Sequence, residues 1–381
     1  MAARSICLVA GEPSGDLQGS LLISAMKRRH PDWQLWGVGS ERMAKAGCEL
    51  WQDARGWSVM GFAEVLKSLP RFHRRLTDLT AEIRRRKPDG VILIDFPGFN
   101  LKLVRRVRES GISVLYYIAP QIWAWGQKRV EIFRRYVDRT VVVFPFEKKF
   151  FADHGVTVDW VGHPLVDWVK PTAGREELRA HLGVGEGDKL VAILPGARVQ
   201  DFESHLTVFR DAVARLGASM PGIRWALGLA PSLAQQAAGL SERPGPLPVT
   251  TAVYDLVAAA DLVLTKSGTA TVECALLGTP MVCAYRTGGL NFAIARRLVK
   301  VPYIAMPNLI AGQPIVPEFI QNAATPEALA QAARQLLTDP ARYQRQQEGL
   351  ADVCRLLGLP GAVERAVDVV EQWLQKDASP T

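Results

Sequence analysis

Hydrophobic residues along this chain gather in short unbroken runs, each closed by glycine, proline or a small polar residue, with longer amphipathic stretches between them. Ile6–Ala10, Leu35–Gly39, Val91–Asp95, Val114–Ile118, Thr140–Phe144 and Val158–Gly162 make a first series. Leu190–Leu194, Trp225–Leu229, Val249–Thr251, Asp261–Thr265 and Met281–Tyr285 make a second. Short apolar runs that do not alternate with polar residues predict strands buried on both faces, and helical patterns between them predict doubly wound parallel sheets. The expected organisation is a Rossmann-like domain over 1–165, a linker with a short helix over 166–188, and a second Rossmann-like domain over 189–355. A C-terminal helix and tail follow over 356–381, either returning to the first domain or crossing to a second copy in a homodimer.

The segments after the strands carry the candidate chemistry. Ser267-Gly268-Thr269, with Ala270 behind, is expected to open a helix that ends at Gly278. Hydroxyls and unpaired backbone N–H groups at a helix N-terminus suit a diphosphate. Glu273 sits where a carboxylate can accept from two ribose hydroxyls, or else it is a solvated helix residue beside an ordinary Ser267 cap. Arg198 stands just beyond Leu190–Leu194, placed to neutralise a diphosphate or simply exposed at a helix start. Asp95 ends an apolar strand, where open α/β sheets bind ligands, and is either a general base or a cap for the next helix. The glycine loop at Gly11–Asp16, including Ser14 and Gly15, is another close-approach turn. His163 is expected to be a structural turn histidine.

Charge changes the picture of the first half. Of the net +8, residues 1–170 carry +9 and the remainder −1, and eight of the ten tryptophans lie in that half. Cations with aromatics suit an anionic membrane surface or an amphiphilic anionic substrate, whereas no nucleic-acid motif is present. Residues 57–75, with Met60, Phe62, Leu66, Leu69, Arg71, Phe72, Arg74 and Arg75, are expected to touch membrane or acyl chains, or to form a solvated helix. Trp123, Trp125 and Arg129 belong to the same expected surface. No apolar stretch approaches the roughly 18 residues that span a bilayer. The five cysteines lack paired spacing, which predicts neither disulfides nor a metal site. Two such domains facing across a cleft describe the GT-B architecture, which can support a departing nucleotide diphosphate without a metal.

In order along the chain, Gly11-Glu-Pro-Ser-Gly-Asp16, Met60-Gly-Phe-Ala-Glu-Val-Leu66, Asp95-Phe-Pro-Gly-Phe-Asn100, Trp123-Ala-Trp125, Pro145-Phe-Glu147, Gly162-His-Pro-Leu165, Leu194-Pro-Gly-Ala-Arg198, Ser267-Gly-Thr-Ala270 with Glu273, Pro307-Asn308 and Pro317-Glu318 with Gln321 resemble the lipid-A-disaccharide synthase family. The resemblance implies an inverting, cofactor-free transfer from UDP-2,3-diacylglucosamine to 2,3-diacylglucosamine 1-phosphate, at the cytoplasmic face of the inner membrane. By position it casts Asp95 as the catalytic base. Arg198, Ser267, Gly268, Thr269 and Ala270 would hold the diphosphate, Glu273 the ribose, and Ser14, Gly15, Asn308 and Gln321 would lie near the donor. Pro13, Ala119, Gln121, Ala197 and Asp201 depart from the usual pattern. Rival readings are a UDP-N-acetylglucosamine 2-epimerase-like isomerase and a UDP-sugar-binding peripheral membrane protein without catalysis.

Overall fold

The computed structural model describes residues 3–57, 62–230, 233, 248–299 and 301–376; the side chains at 62–68, 290, 291, 294 and 376 are outside that description. The chain forms two compact units, Met1–Pro164 with Leu357–Thr381, and Leu165–Leu356.

The first unit holds a parallel sheet of seven strands: β1 (Ser5–Ala10), β2 (Gln34–Gly39), β3 (Glu49–Asp53), β4 (Gly90–Ile94), β5 (Val114–Tyr117), β6 (Arg139–Val142) and β7 (Asp159–Trp160), in the order β3-β2-β1-β4-β5-β6-β7. Side chains alternate across a strand, so each apolar run feeds two cores at once. Cys7, Val9, Val91, Leu93, Val114 and Tyr116 join Leu79, Ile83, Phe99 and Val104 on one face. Ile6, Leu8, Ile92, Ile94, Leu115 and Tyr117 join Leu22, Met26, Val367 and Trp373 on the other. Continuous apolar runs are required because both faces are covered. β3, Glu-Leu-Trp-Gln-Asp, is an edge strand of mixed polarity that no apolar run announces.

The helix Ala362–Lys376 returns to this sheet within the same chain, against the helix Pro13–Arg29. Gly90 permits it: a Cβ there would lie 2.3 Å from the Trp373 ring, whose Nε1 donates to Ser113 Oγ at 2.7 Å. Arg28 and Arg29 pair with Glu364, and Arg29 also with Asp368. Half-exposed pairs contribute about 0–1 kcal/mol each, against roughly 1.5–3 kcal/mol for each buried Val367, Val370 or Leu374 side chain, so the apolar face decides the docking.

The second unit holds β8 (Lys189–Leu194), β9 (Ile223–Gly228), β10 (Val249–Thr250), β11 (Leu262–Lys266), β12 (Met281–Tyr285) and β13 (Glu318–Ile320), parallel in the order β10-β9-β8-β11-β12-β13. Val191, Ile193, Leu262, Leu264 and Val282 pack on Phe209, Val213, Leu329 and Leu336 from the helices Val199–Ser219 and Pro326–Thr338. Thr325 caps the latter by accepting from Ala328 N–H, and Pro326 occupies its first turn. Within 166–188, Thr172 donates to Asp255 and Arg179 to Asp261, which anchors that stretch to this unit. Among the described residues no helix is long and apolar enough to cross a membrane.

Candidate active site

Both sheets reverse their winding direction once, and such switch points leave a crevice beyond the carboxyl ends of the two diverging strands. In the first unit those strands are β1 and β4, which pair from Ile6 with Gly90 to Ala10 with Ile94. The residues that follow are Gly11 and Asp95. Their loops touch: a Cβ on Gly11 would stand 2.2 Å from the Phe96 ring, so only glycine fits.

Asp95 and Phe96 both have left-handed backbones, with φ of 44° and 49°. For non-glycine residues each costs on the order of 1–2 kcal/mol and persists only where neighbours over-determine it. Here Tyr116 Oη donates to the Asp95 carbonyl at 2.6 Å and Asn100 Nδ2 donates to it at 2.9 Å. The Asp95 N–H donates to Tyr117 O at 3.3 Å. The buried Asn100 amide also lies 3.2 Å from Ile94 O and 3.4 Å from Val9 O, tying β4 to β1. The cap position of the helix Pro97–Arg108 falls on Phe96, one residue past Asp95. Ser14 and Gly15 start the helix Pro13–Arg29 at this same switch point, Ser14 exposed and Gly15 buried. Asp16 beside them is buried and accepts from the N–H groups of Ser40 at 2.6 Å and of Arg42 and Met43 at 3.3 Å, so this residue of the glycine loop serves architecture.

The aromatic and basic residues nearby correct the expected interfacial surface. Trp33, Trp36, Trp57 and Trp123 are buried, and cations lie on them: Arg86 over Trp36 at 4.4 Å and Arg75 over Trp57 at 4.8 Å. Trp123 donates through Nε1 to Glu147 Oε1 at 3.1 Å, so it faces the interior. Glu147 also accepts from the N–H groups of Val143 and Phe144, completing the first turn of the helix Pro145–Ala152. Burial pushes the Glu147 carboxyl up to about 7, against the pull of those three donors, and the Asp95 charge adds to the rise. Trp125 is half-buried under the Arg129 guanidinium at 4.2 Å. In the helix Phe62–Arg86, Phe72 packs edge-on against Phe99 and Leu69 is half-buried, whereas Arg71 and Arg74 are exposed. Met60 lies outside the described residues, as do the side chains of Phe62 and Leu66. His163 is buried, with its N–H on Leu357 O at 2.8 Å, and burial draws its pKa down to about 4, as befits a structural histidine.

In the second unit the diverging strands are β8 and β11, and their ends lead into Arg198 and into Ser267-Gly268-Thr269. Arg198 occupies the cap position of the helix Val199–Ser219 and is half-buried. The cap of the helix Thr269–Leu276 is Gly268, at φ 151°, not Ser267. Ser267 Oγ instead donates to Ile304 O at 2.7 Å, leaving its lone pairs as acceptors only. Thr269 is exposed and Ala270 half-buried on the first turn. Glu273, half-buried on the same helix, accepts from Tyr254 Oη at 3.2 Å. Lys266 pairs with Asp201 at 3.1 Å, and the buried His205 accepts the Arg286 N–H at Nε2 over 2.9 Å while its Nδ1 lies 2.7 Å from Asp201 O.

Two residues expected near the donor make structural hydrogen bonds. Asn308 is fully buried: Nδ2 donates to Val316 O at 2.8 Å and Oδ1 accepts from Ile315 and Val316 N–H at 2.8 and 2.7 Å. Its side chain therefore clamps the loop at Ile315 and Val316. Gln321 exchanges hydrogen bonds with the Thr287 backbone, accepting at 2.7 Å and donating at 2.9 Å. Glu318 was quoted only as part of a motif, yet it accepts from Ile304 N at 3.1 Å and Ala305 N at 2.8 Å, so it sets the turn that receives Ser267. The resulting chemistry is a carboxylate at one switch point and a hydroxyl, glycine and cation set at the other.

A family model described as lipid-A-disaccharide synthetase matches residues 6–364. The lipid-A-disaccharide synthase of Syntrophus aciditrophicus is 40% identical over 380 residues, covering 99% of this chain and 99% of that protein. That of Pseudomonas aeruginosa is 40% identical over 371 residues, covering 96% and 98%. Among solved structures, the UDP-N-acetylglucosamine 2-epimerase of Neisseria meningitidis bound to UDP-GlcNAc superposes with a TM-score of 0.66 at 14% identity over 97% of this chain and 100% of the other. A calicheamicin glycosyltransferase superposes with a TM-score of 0.62 at 17% identity over 100% of both chains. The structural likeness gives the fold, two parallel-sheet domains of the GT-B class.

Proposed function

The chain belongs to the lipid-A-disaccharide synthase family of glycosyltransferases, and from that premise we propose that it moves 2,3-diacylglucosamine from UDP-2,3-diacylglucosamine to the 6-hydroxyl of 2,3-diacylglucosamine 1-phosphate with inversion. The products are a β-1,6-linked disaccharide 1-phosphate and UDP. The observation that carries this reading is Asp95, a carboxylate at the carboxyl end of β4 whose backbone is held in a strained conformation by Tyr116 and Asn100. Strain kept by dedicated hydrogen bonds is the mark of a residue whose position matters to chemistry.

Asp95 accepts the proton of the acceptor hydroxyl as its oxygen attacks the anomeric carbon from the face opposite the leaving group. The anomeric carbon–oxygen bond to the diphosphate breaks in the same displacement, and UDP leaves with the electron pair. Arg198 and the N–H groups at the start of the helix Thr269–Leu276 take up the charge that develops on the diphosphate. Glu273 holds the ribose, whereas Asn308 and Gln321 act by fixing the backbone at Val316 and Thr287. The acceptor is a lipid, so the protein works peripherally at the cytoplasmic face of the inner membrane, with Arg71 and Arg74 toward anionic headgroups.

The test is mass spectrometry of products after mixing purified protein, chelator and both lipid substrates. A disaccharide phosphate with stoichiometric UDP supports transfer. UDP-sugar converted without dependence on acceptor would replace it with an isomerase.

A further inference from the structure

We infer that a basic groove on the first unit binds the phosphate group of the acceptor sugar, an assignment that rests on the transferase reading above. The groove has a volume of about 590 Å³, within the range of roughly 300–1,000 Å³ typical of small-molecule sites. Helix periodicity builds it. On the helix Pro97–Arg108, Phe99, Leu103, Val104 and Val107 face the core, while the stripe through Lys102, Arg105, Arg106 and Glu109 lines the groove. His73 and Arg129 complete its polar lining.

Many cations of the unit are held in ion pairs that those of this groove lack. Arg86 pairs with Glu82 and Glu49, Arg108 with Asp138, Arg134 and Arg135 with Glu131, and Arg139 with Asp159. Among the described residues no carboxylate pairs with Lys102, Arg105, Arg106 or Arg129, although all four line one concavity. Four cations against the single carboxylate of Glu109 leave the groove with an excess of positive charge, and an entering dianion relieves the repulsion. Three of the cations rest on ring faces: Lys102 on Phe72 at 4.6 Å, Arg105 on Tyr136 at 5.7 Å and Arg129 on Trp125 at 4.2 Å. Stacking holds a guanidinium by its face and leaves its N–H edge for phosphate oxygens. Arg106 is held by Thr77 Oγ1 at 3.2 Å. Glu109 closes the stripe one turn beyond Arg105 and Arg106 and roughly 10 Å along the axis from Lys102, with no ion pair to any of them among the described residues.

The location fits the substrate. Pro97 and Gly98 line the groove two and three residues after Asp95, so its rim begins close in sequence to the carboxylate assigned to the acceptor hydroxyl, and Lys102 follows about one helical turn on. In 2,3-diacylglucosamine 1-phosphate the phosphate on C1 and the hydroxymethyl on C5 flank the ring oxygen, which lets both be read at once. A phospholipid headgroup offers the same phosphate chemistry. The concave shape and the adjacency to Asp95 favour the acceptor.

The experiment compares 2,3-diacylglucosamine 1-phosphate with its dephosphorylated counterpart as acceptors for the full chain. The wild type is expected to prefer the phosphate about 100-fold in kcat/KM, mainly through KM, as several charged contacts imply. In the double variant Lys102→Gln/Arg105→Gln that preference should shrink at least tenfold, with UDP affinity unchanged and Lys149→Gln behaving as wild type. A retained preference, or an equal loss on both acceptors, overturns the assignment. Sedimentation with phosphatidylglycerol vesicles should not separate the double variant from wild type; weaker vesicle binding with the preference intact would make these cations a membrane patch instead. Should the wild type transfer no sugar at all, the transferase reading falls separately. The groove is then judged by calorimetry with glucosamine 1-phosphate against glucosamine: saturable binding of the phosphorylated sugar alone, lost in the double variant, sustains the phosphate site, and no difference overturns it.

Discussion

The two switch points share one topological origin and are held with different emphasis. At β1 and β4 the candidate residue is held through its backbone: two left-handed residues in succession, steadied by Tyr116, Asn100 and a ring that only Gly11 admits. At β8 and β11 one left-handed non-glycine residue, Gln321 at φ 52°, belongs to the site, and precision comes mainly from side-chain amides and carboxylates, Asn308, Gln321 and Glu318. A base must present one atom to one hydroxyl, which a rigid backbone achieves. A site for a long polyanion must hold several loops in register, which a hydrogen-bond network achieves.

This contrast can be broken by experiment, and the largest effect is expected at Asp95. Asp95→Asn should lower transfer by about 10²–10⁴-fold with UDP affinity within a few-fold and the melting temperature little changed, measured by product formation and calorimetry. Next in size, Asn308→Ala leaves buried loop N–H and carbonyl groups unpaired, and urea unfolding should report a loss of about 2–4 kcal/mol together with weakened UDP binding. If Asn308→Ala weakened UDP binding with unchanged stability, it would be a ligand contact and the contrast would be wrong.

Glu147 supplies a pH test of the first unit. Its folded pKa of about 7 lies above the ordinary carboxyl value of 4.5, so between those limits the folded chain binds more protons than the unfolded one. The sign follows from linkage: the contribution of this group to stability is fully present below about pH 4.5 and is lost as pH rises toward 7. Relative to Glu147→Gln, wild type should therefore lose on the order of 3 kcal/mol across that window and then level off. A difference independent of pH would place the titration elsewhere. The smallest effect is expected for Tyr116→Phe, which removes one hydrogen bond from the Asp95 carbonyl. It should cost about 1 kcal/mol of stability and lower kcat by roughly tenfold with KM unchanged; a change in KM alone would mean that the hydroxyl meets substrate.

The strands of both sheets were legible because burial on two faces demands uninterrupted apolar residues, and Ile6–Ala10, Val91–Ile94 and Leu190–Leu194 show them without help from the rest of the chain. Asp95 was legible for a related reason, as the polar residue that ends such a run. The tasks of Asn308 and Gln321 were not legible, because their partners lie up to 34 residues away and nothing in Pro307-Asn308 announces them. Tryptophans misled for a different reason. Their number beside cations resembles an interfacial belt, yet Trp36, Trp57 and Trp123 are buried and the cations stack on them or give way to Glu147. β3 was hidden because an edge strand needs only one covered side.

Sequence by itself determined two parallel sheets, the identity of the carboxylate at a strand end and the hydroxyl-glycine loop at another, since each depends on residues within a few positions of one another. Tertiary structure alone decided which strands diverge, that Asp95 follows one switch point and Ser267 the other, and that Lys102, Arg105 and Arg106 line one groove without an ion pair among the described residues. The physical reason is range. Burial sums over local pattern, whereas hydrogen-bond saturation and charge pairing depend on partners that only the folded chain brings within about 3 Å.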